Sequence, residues 1–151
     1  MLFDSPLFPL PFEHKMVALE TGQPIEVEGV KVEIFPLTHP NDSYAFRLNW
    51  ADRSMAYVTD TAGDAGYFDF IRGVDLLIHE RNFPDKLHSI AEASGHCTTS
   101  DLVAAARDCG AKTVVATHFN PLTTEDPLLE DDVYSLLPGV ISARDEMIVE
   151  F

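Results

Sequence analysis

The sequence predicts an α/β domain in which one mixed sheet carries helices on one face. Residues 25–60 contain three β-rich runs with short connections, which is typical of an antiparallel meander. After residue 73, apolar strand-like runs alternate with helical patterns, which favours a sheet covered by helices. The length of 151 residues fits one domain with its own core.

The meander comes from three runs with strand composition. They are "IEVEGVKVEIFPL" from residue 25, "SYAFRLNW" from residue 43 and "SMAYVTD" from residue 54. Each is rich in β-branched or aromatic residues, and the short connection "WADR", which includes the last residue of the second run, leads into the third. A weakly periodic helix over 65–72 and a buried strand in "GVDLLIHE" are expected next.

The most clearly marked helix follows Thr98. Thr98 and Asp101 form a capping-box pattern, and Gly110 supplies a C-terminal stop. The sequence then predicts a buried strand over 112–118, a helix over 124–139 and a closing strand pair that turns at Arg144–Asp145.

Composition excludes several kinds of protein. The formal net charge is −15, from 10 basic and 25 acidic residues, and such a surface repels nucleic acid. No apolar run approaches the roughly 18 residues of a membrane helix, so no membrane partner is expected. Cys97 and Cys109 are interpreted as free thiols in a reducing compartment, and we therefore expect a cytoplasmic protein.

Four predicted strands end on side chains that can bind a metal or transfer a proton. These are His39, Asp60, the pair His79 and Glu80, and His118. Ligands in α/β sheets lie beyond the carboxyl ends of the strands, so these side chains are expected to converge. His96 joins them from the loop before its helix.

Each of these residues also has a plain structural interpretation. A single histidine at a strand end is more often solvated than a ligand, and this reading is kept for His14 and His88. Asp60 alone resembles a turn former. The combination nevertheless favours a site, and histidine with carboxylate but no thiolate suits Zn²⁺, with manganese or iron as alternatives.

Five motifs give the chain a family resemblance. In order they are "FPLTHPNDSYAFRL", "SMAYVTDTAG", "DLLIHERNF", "GHCTTSDLVAAARDCGAKTVVATHF" and "ISARDEMIVEF". They resemble the C-terminal half of a metallo-β-lactamase-fold hydrolase of the ribonuclease Z-like phosphodiesterase branch. The resemblance implies a half domain over residues 25–151, in a metallo-β-lactamase-type αβ/βα sandwich, after a lead-in segment over residues 1–24.

The resemblance also implies roles for five residues. In the family, residues matching His39 and His118 bind one metal ion each, and the residue matching Asp60 bridges the two ions of a dinuclear site. The residue matching His96 acts as a general acid. A glutamate matching Glu80 orients that acid.

Three departures from the family pattern modify these expectations. The H-x-H-x-D-H metal motif of the N-terminal half is absent, so each metal ion would have two ligands from this chain. The basic tRNA-binding arm is also absent, which favours a small phosphodiester or ester over tRNA as substrate. "HERN" replaces "HEAT", so Arg81 is expected at the mouth of the pocket.

Two hypotheses of different class stay open. In the first, the chain supplies part of the active site of a metal-dependent hydrolase. In the second, it is a non-catalytic, truncated half domain that folds and self-associates. Both predict a homodimer or association with a missing N-terminal half, because the strands carry more apolar residues than one helical layer can cover. An acidic partner-binding module, which rests on charge alone, is the weakest reading.

Overall fold

A computed structural model of the chain describes residues 17–122 and 125–151. It contains one seven-stranded sheet with the order β1-β2-β3-β4-β5-β6-β7. The strands are β1 (Ile25–Val27), β2 (Val30–Pro36), β3 (Tyr44–Asn49), β4 (Ser54–Val58), β5 (Leu76–Glu80), β6 (Thr113–Thr117) and β7 (Ile141–Ser142). The first four pair antiparallel and the last four parallel, so the predicted meander and mixed sheet are confirmed. The first sixteen residues of the predicted lead-in lie outside the described residues.

Four α-helices accompany the sheet in the described part of the chain. They are α1 (Phe68–Ile71), α2 (His88–Ser94), α3 (Thr99–Cys109) and α4 (Val133–Leu136). The capping box at Thr98 is present, and Gly110 ends α3 in the left-handed conformation, as its sequence predicts. Helix α1 is shorter than predicted because the Asp64 side chain accepts the N–H of Gly66 in a turn.

One sheet face forms the main core with the helices. Small and branched residues of the strands, such as Ala56 and Leu77, pack there against Ile71 of α1 and Leu102 of α3. The other face carries a row of apolar cross-strand partners. This row contains Ile34, Phe46, Tyr57, Ile78, Val115 and Ile141. Its burial is uneven, since Tyr57 is 36% exposed while Val115 is 4% exposed.

The predicted helix over 124–139 is wrong. A 3₁₀ segment (Pro127–Asp132) precedes the short α4, and its last two residues, Asp131 and Asp132, have a left-handed backbone. The Asp131 carboxylate accepts the N–H of Asp85 at 2.7 Å and lies 3.4 Å from the Arg81 guanidinium. These distant contacts draw the segment out of helical geometry.

The predicted closing strand pair is also wrong. Only β7 forms, and Glu146 has a φ of 62° just after the expected turn. The last residue, Phe151, lies against Trp50 with ring centroids 6.1 Å apart.

Helix α2 and the preceding 3₁₀ turn (Asp85–Leu87) were not predicted, because α2 buries only Ala91 and therefore shows little periodicity. No helix of the described residues is long and apolar enough to cross a membrane.

One histidine of the sheet is buried in the core. His79 is fully buried in β5, and the hydroxyl of Tyr67 lies 2.7 Å from its Nε2. Its Nδ1 donates to the Glu80 carbonyl oxygen at 2.6 Å. Burial lowers the pKa of His79 from 6.5 to about 4 and raises that of Tyr67, so both side chains are neutral near pH 7.

This histidine should make the fold sensitive to acid. The unfolded chain binds a proton at His79 near pH 6.5, whereas the folded chain does so only near pH 4. The contribution of His79 to the free energy of unfolding is therefore fully present above pH 6.5 and is lost as the pH drops toward 4. Urea unfolding should show that His79→Gln, although less stable, loses about 2 kcal/mol less than wild type between about pH 7 and about pH 5.

The exposed His88 offers the matched control. His88→Gln should keep the acid sensitivity of the wild-type chain. An unchanged pH dependence in His79→Gln would contradict a neutral buried imidazole.

Candidate metal centre

The sheet topology brings the candidate residues to one edge. Strands β2 and β4 are both antiparallel to β3 and therefore run in the same direction. Strands β4, β5 and β6 are parallel, so all four carboxyl ends face the same edge. His39, Asp60 and His118 follow β2, β4 and β6, and Glu80 ends β5.

Three histidines and one aspartate cluster at this edge. Candidate ligand atoms of His39, Asp60 and His96 all lie within 4.8 Å of one another. The Nε2 atom of His118 lies 3.1 Å from Oδ1 of Asp60. The His96 ring lies between those of His39 and His118, with centroid distances of 5.3 Å and 5.2 Å. The structure thus brings together His39, Asp60, His96 and His118. The expectation that His79 joins them is wrong, because its side chain is buried on the core side of β5 against Tyr67.

A buried carboxylate supports this cluster from beneath. Glu80 has no exposed surface, and its two oxygens accept the backbone N–H of Thr61 at 2.6 Å and of Cys97 at 3.1 Å. The Nδ1 atom of His96 lies 3.1 Å from Oε2 of Glu80. Burial raises the pKa of the Glu80 carboxyl, and these hydrogen bonds oppose that shift.

The contact with Glu80 fixes the orientation of His96. A carboxylate accepts hydrogen bonds, so Nδ1 of His96 carries the proton that faces Glu80. Nε2 is then the ring nitrogen available to the cluster. The carboxylate also holds Thr61, which directly follows Asp60, so one group positions two members of the cluster.

Two cluster residues have an unusual backbone. Asp60 and His118 have φ values of 53° and 55°, in the left-handed region that non-glycine residues seldom occupy. Such a conformation costs about 1–3 kcal/mol and persists only where neighbours impose it. The Glu80 contact with Thr61 constrains the first residue, and Asn82 Nδ2 donates to the His118 carbonyl oxygen at 3.0 Å.

Several supporting residues were missed in the sequence. Asn82 lies 36 residues from His118, so no local pattern connects them. Gly95 has a φ of 77°, and a Cβ there would lie 2.5 Å from Pro40 and 3.0 Å from the His39 ring. Gly95 ends α2, which was not predicted, and its close approach to His39 joins residues that are far apart in the sequence.

The prediction for Arg81 is wrong. Its side chain is 1% exposed, and Nε donates to Oγ1 of Thr99 at 2.9 Å. Burial lowers the pKa of Arg81, and Asp131 opposes that shift. The guanidinium therefore ties the segment before α4 to the start of α3 and does not line the mouth of the site.

The cluster has the composition of a metal centre. Imidazole nitrogens and a carboxylate suit Zn²⁺ and related divalent cations, and among the described residues no cysteine sulfur belongs to this group of ligand atoms. His39, Asp60, His96 and His118 are the residues that can hold a cation, while Glu80 is occupied beneath them.

Comparisons with known proteins agree with this geometry. Residues 4–119 match the family model described as "Beta-lactamase superfamily domain". The chain is 31% identical over 137 residues to a protein named Ribonuclease Z from Methanosarcina acetivorans, covering 87% of this chain and 41% of that protein. The chain thus spans less than half the length of this relative.

Solved structures show the same fold. The metallo-β-lactamase fold protein YhfI from Bacillus subtilis superposes with a TM-score of 0.75 at 23% identity, covering 85% of this chain and 51% of that one. A diphosphatase of the PhnP family superposes with a TM-score of 0.63 at 26% identity, covering 85% of this chain and 46% of that one. The chain belongs to the metallo-β-lactamase superfamily of metal-dependent hydrolases and is ribonuclease Z-like.

Proposed function

We propose that this chain contributes part of the active site of a hydrolase that cleaves small phosphodiesters or related esters. The observation that carries the proposal is the pairing of His96 with the buried Glu80 beside His39 and Asp60. That arrangement supplies a positioned acid next to a candidate metal centre, and both contribute to metal-assisted hydrolysis of an ester.

His39, Asp60 and His118 are the proposed metal ligands of the complete site. Asp60 is close to His118, at 3.1 Å, and has a ligand atom within 4.8 Å of those of His39 and His96, so its carboxylate is the group that could serve two cations. A bound Zn²⁺, or Mn²⁺ or iron in its place, would polarise the scissile ester and lower the pKa of a bound water molecule. The contacts that impose the left-handed backbone at Asp60 and His118 would also position both side chains before any cation binds.

His96 is the proposed general acid. Its Nδ1 is held by Glu80, so Nε2 is presented to the leaving group. Glu80 is a positioning residue that acts through His96. It is buried and touches no substrate.

The charge of the chain supports a small substrate. With 25 acidic and 10 basic residues, the surface disfavours a long polyanion. The β3–β4 hairpin is closed by four residues, so no basic arm is inserted there. Cleavage of tRNA is the second candidate function, which the relative named Ribonuclease Z favours.

The second sheet face supports association with another polypeptide. The row that includes Tyr57 is apolar across six strands and lies opposite the helices. Because the chain spans 41% of its relative, we propose that a second copy or a further half domain packs on this face. The non-catalytic alternative, a self-associating half domain, uses the same surface.

The acid role predicts a dependence on the leaving group. In an active protein containing this chain, His96→Ala should slow cleavage of a dinucleotide about 100-fold or more, because its alkoxide must be protonated as it leaves. Cleavage of bis(p-nitrophenyl) phosphate should fall far less, since nitrophenolate leaves unprotonated. Initial rates on both substrates, with metal content measured in parallel, test this.

The exposed His88 again supplies a matched control, and His88→Ala should leave both rates unchanged. Equal losses on the two substrates would contradict the acid role. Faster cleavage of precursor tRNA than of either small diester would favour the second candidate function.

Association through the second face is tested by light scattering after size exclusion. At low micromolar concentration the chain should form a dimer, and Tyr57→Glu should weaken it because the substitution places a charge on the apolar row. Glu26→Lys, an exposed change on β1, is the control. A clean 16.8 kDa wild-type monomer would contradict the proposal.

A further inference from the structure

The three ligand atoms that lie closest together, here called the compact set, do not belong to the three residues proposed as metal ligands of the complete site. His39, Asp60 and His96 place one candidate atom each within 4.8 Å of the other two, whereas His118 is engaged with Asp60. We infer that this chain on its own binds one divalent cation through His39, Asp60 and His96, so that His96 is a ligand there and not an acid. The inference rests on the proposed function, because it assumes that His96 is the general acid of the complete site.

The number of available ligands explains why His96 would bind the cation. Catalytic Zn²⁺ normally has three protein ligands and one open position. His39 and Asp60 provide two, and His96 is the residue whose free nitrogen completes the compact set. Tetrahedral ligands lie about 3.4 Å apart at ordinary zinc distances, so binding requires ligand atoms that lie within 4.8 Å of one another to approach by up to about 1.4 Å.

The surroundings of each donor fit a ligand. His96 donates Nδ1–H to a buried carboxylate, the partner that orients many zinc-bound histidines. Asp60 has one oxygen 3.1 Å from His118, which fixes the carboxylate. Nδ1 of His39 lies 3.2 Å from the backbone N–H of Asn41 and 3.3 Å from the Asn41 carbonyl oxygen. Cation binding at Nε2 requires the tautomer whose Nδ1 donates to that oxygen.

This coordination has a chemical consequence. A lone pair on Nε2 of His96 that binds a cation cannot also carry the proton for a leaving group. The loaded chain alone is therefore deficient in acid catalysis. Further ligands from a second polypeptide would release His96, which couples assembly of the complete site to activity.

Metal binding by the isolated chain tests the inference without an activity measurement. The chain is stripped with chelator and titrated with Zn²⁺ in a calorimeter. One ion per chain is expected, with affinity lowered at least about tenfold in both His96→Ala and Glu80→Gln. His118→Ala should lose less zinc affinity than His96→Ala, and His88→Ala should bind zinc with the affinity of the wild type.

X-ray absorption of the zinc-loaded chain identifies the ligands directly. Two imidazoles are expected in the wild type and in His118→Ala, but one in His96→Ala. Thermal unfolding of the metal-free variants checks the fold, and His96→Gln replaces His96→Ala if the latter is unfolded.

Two results would overturn the inference. One is the absence of zinc binding by the wild-type chain. The other is wild-type affinity and imidazole count in His96→Ala together with loss of binding in His118→Ala. The second result leaves the proposed function intact, whereas the leaving-group experiment tests that function alone.

Discussion

The site depends on one buried carboxylate. Glu80 joins the turn after β4 to the loop before α3, because its oxygens accept the N–H groups of Thr61 and Cys97 as well as facing His96. A buried carboxylate without such donors would be costly, so the two segments and the histidine must be in place when Glu80 is charged. Folding of the sheet and assembly of the site are therefore the same event.

His79, which precedes Glu80 in β5, points to the opposite face of the sheet. His79 faces the core and is held by Tyr67, while Glu80 faces the site, as alternation along a strand requires. The Nδ1–H of His79 satisfies the Glu80 carbonyl oxygen, so both the backbone and the side chain of Glu80 are fixed. Such rigidity allows the neighbours to impose the left-handed backbone at Asp60 and His118.

The parts that the sequence predicts are those set by local chemistry. The capping box of Thr98 and the stop at Gly110 lie within one helix, and the strand ends are marked by apolar runs that stop at polar residues. The broken segment at Asp131 was missed because its partner Arg81 lies 50 residues away. The family resemblance pairs Glu80 with His96, but other contacts that arrange the cluster, such as Asn82 with His118, join distant residues and could not be predicted.

Crystals of the chain grown with Zn²⁺ and measured at the zinc absorption edge would test the central role of Glu80 most directly. We predict an anomalous peak within coordination distance of His39 and Asp60, with Nδ1 of His96 still on the Glu80 carboxylate. A peak remote from these strand ends, or a His96 ring turned away from Glu80 in the metal-bound chain, would contradict the account.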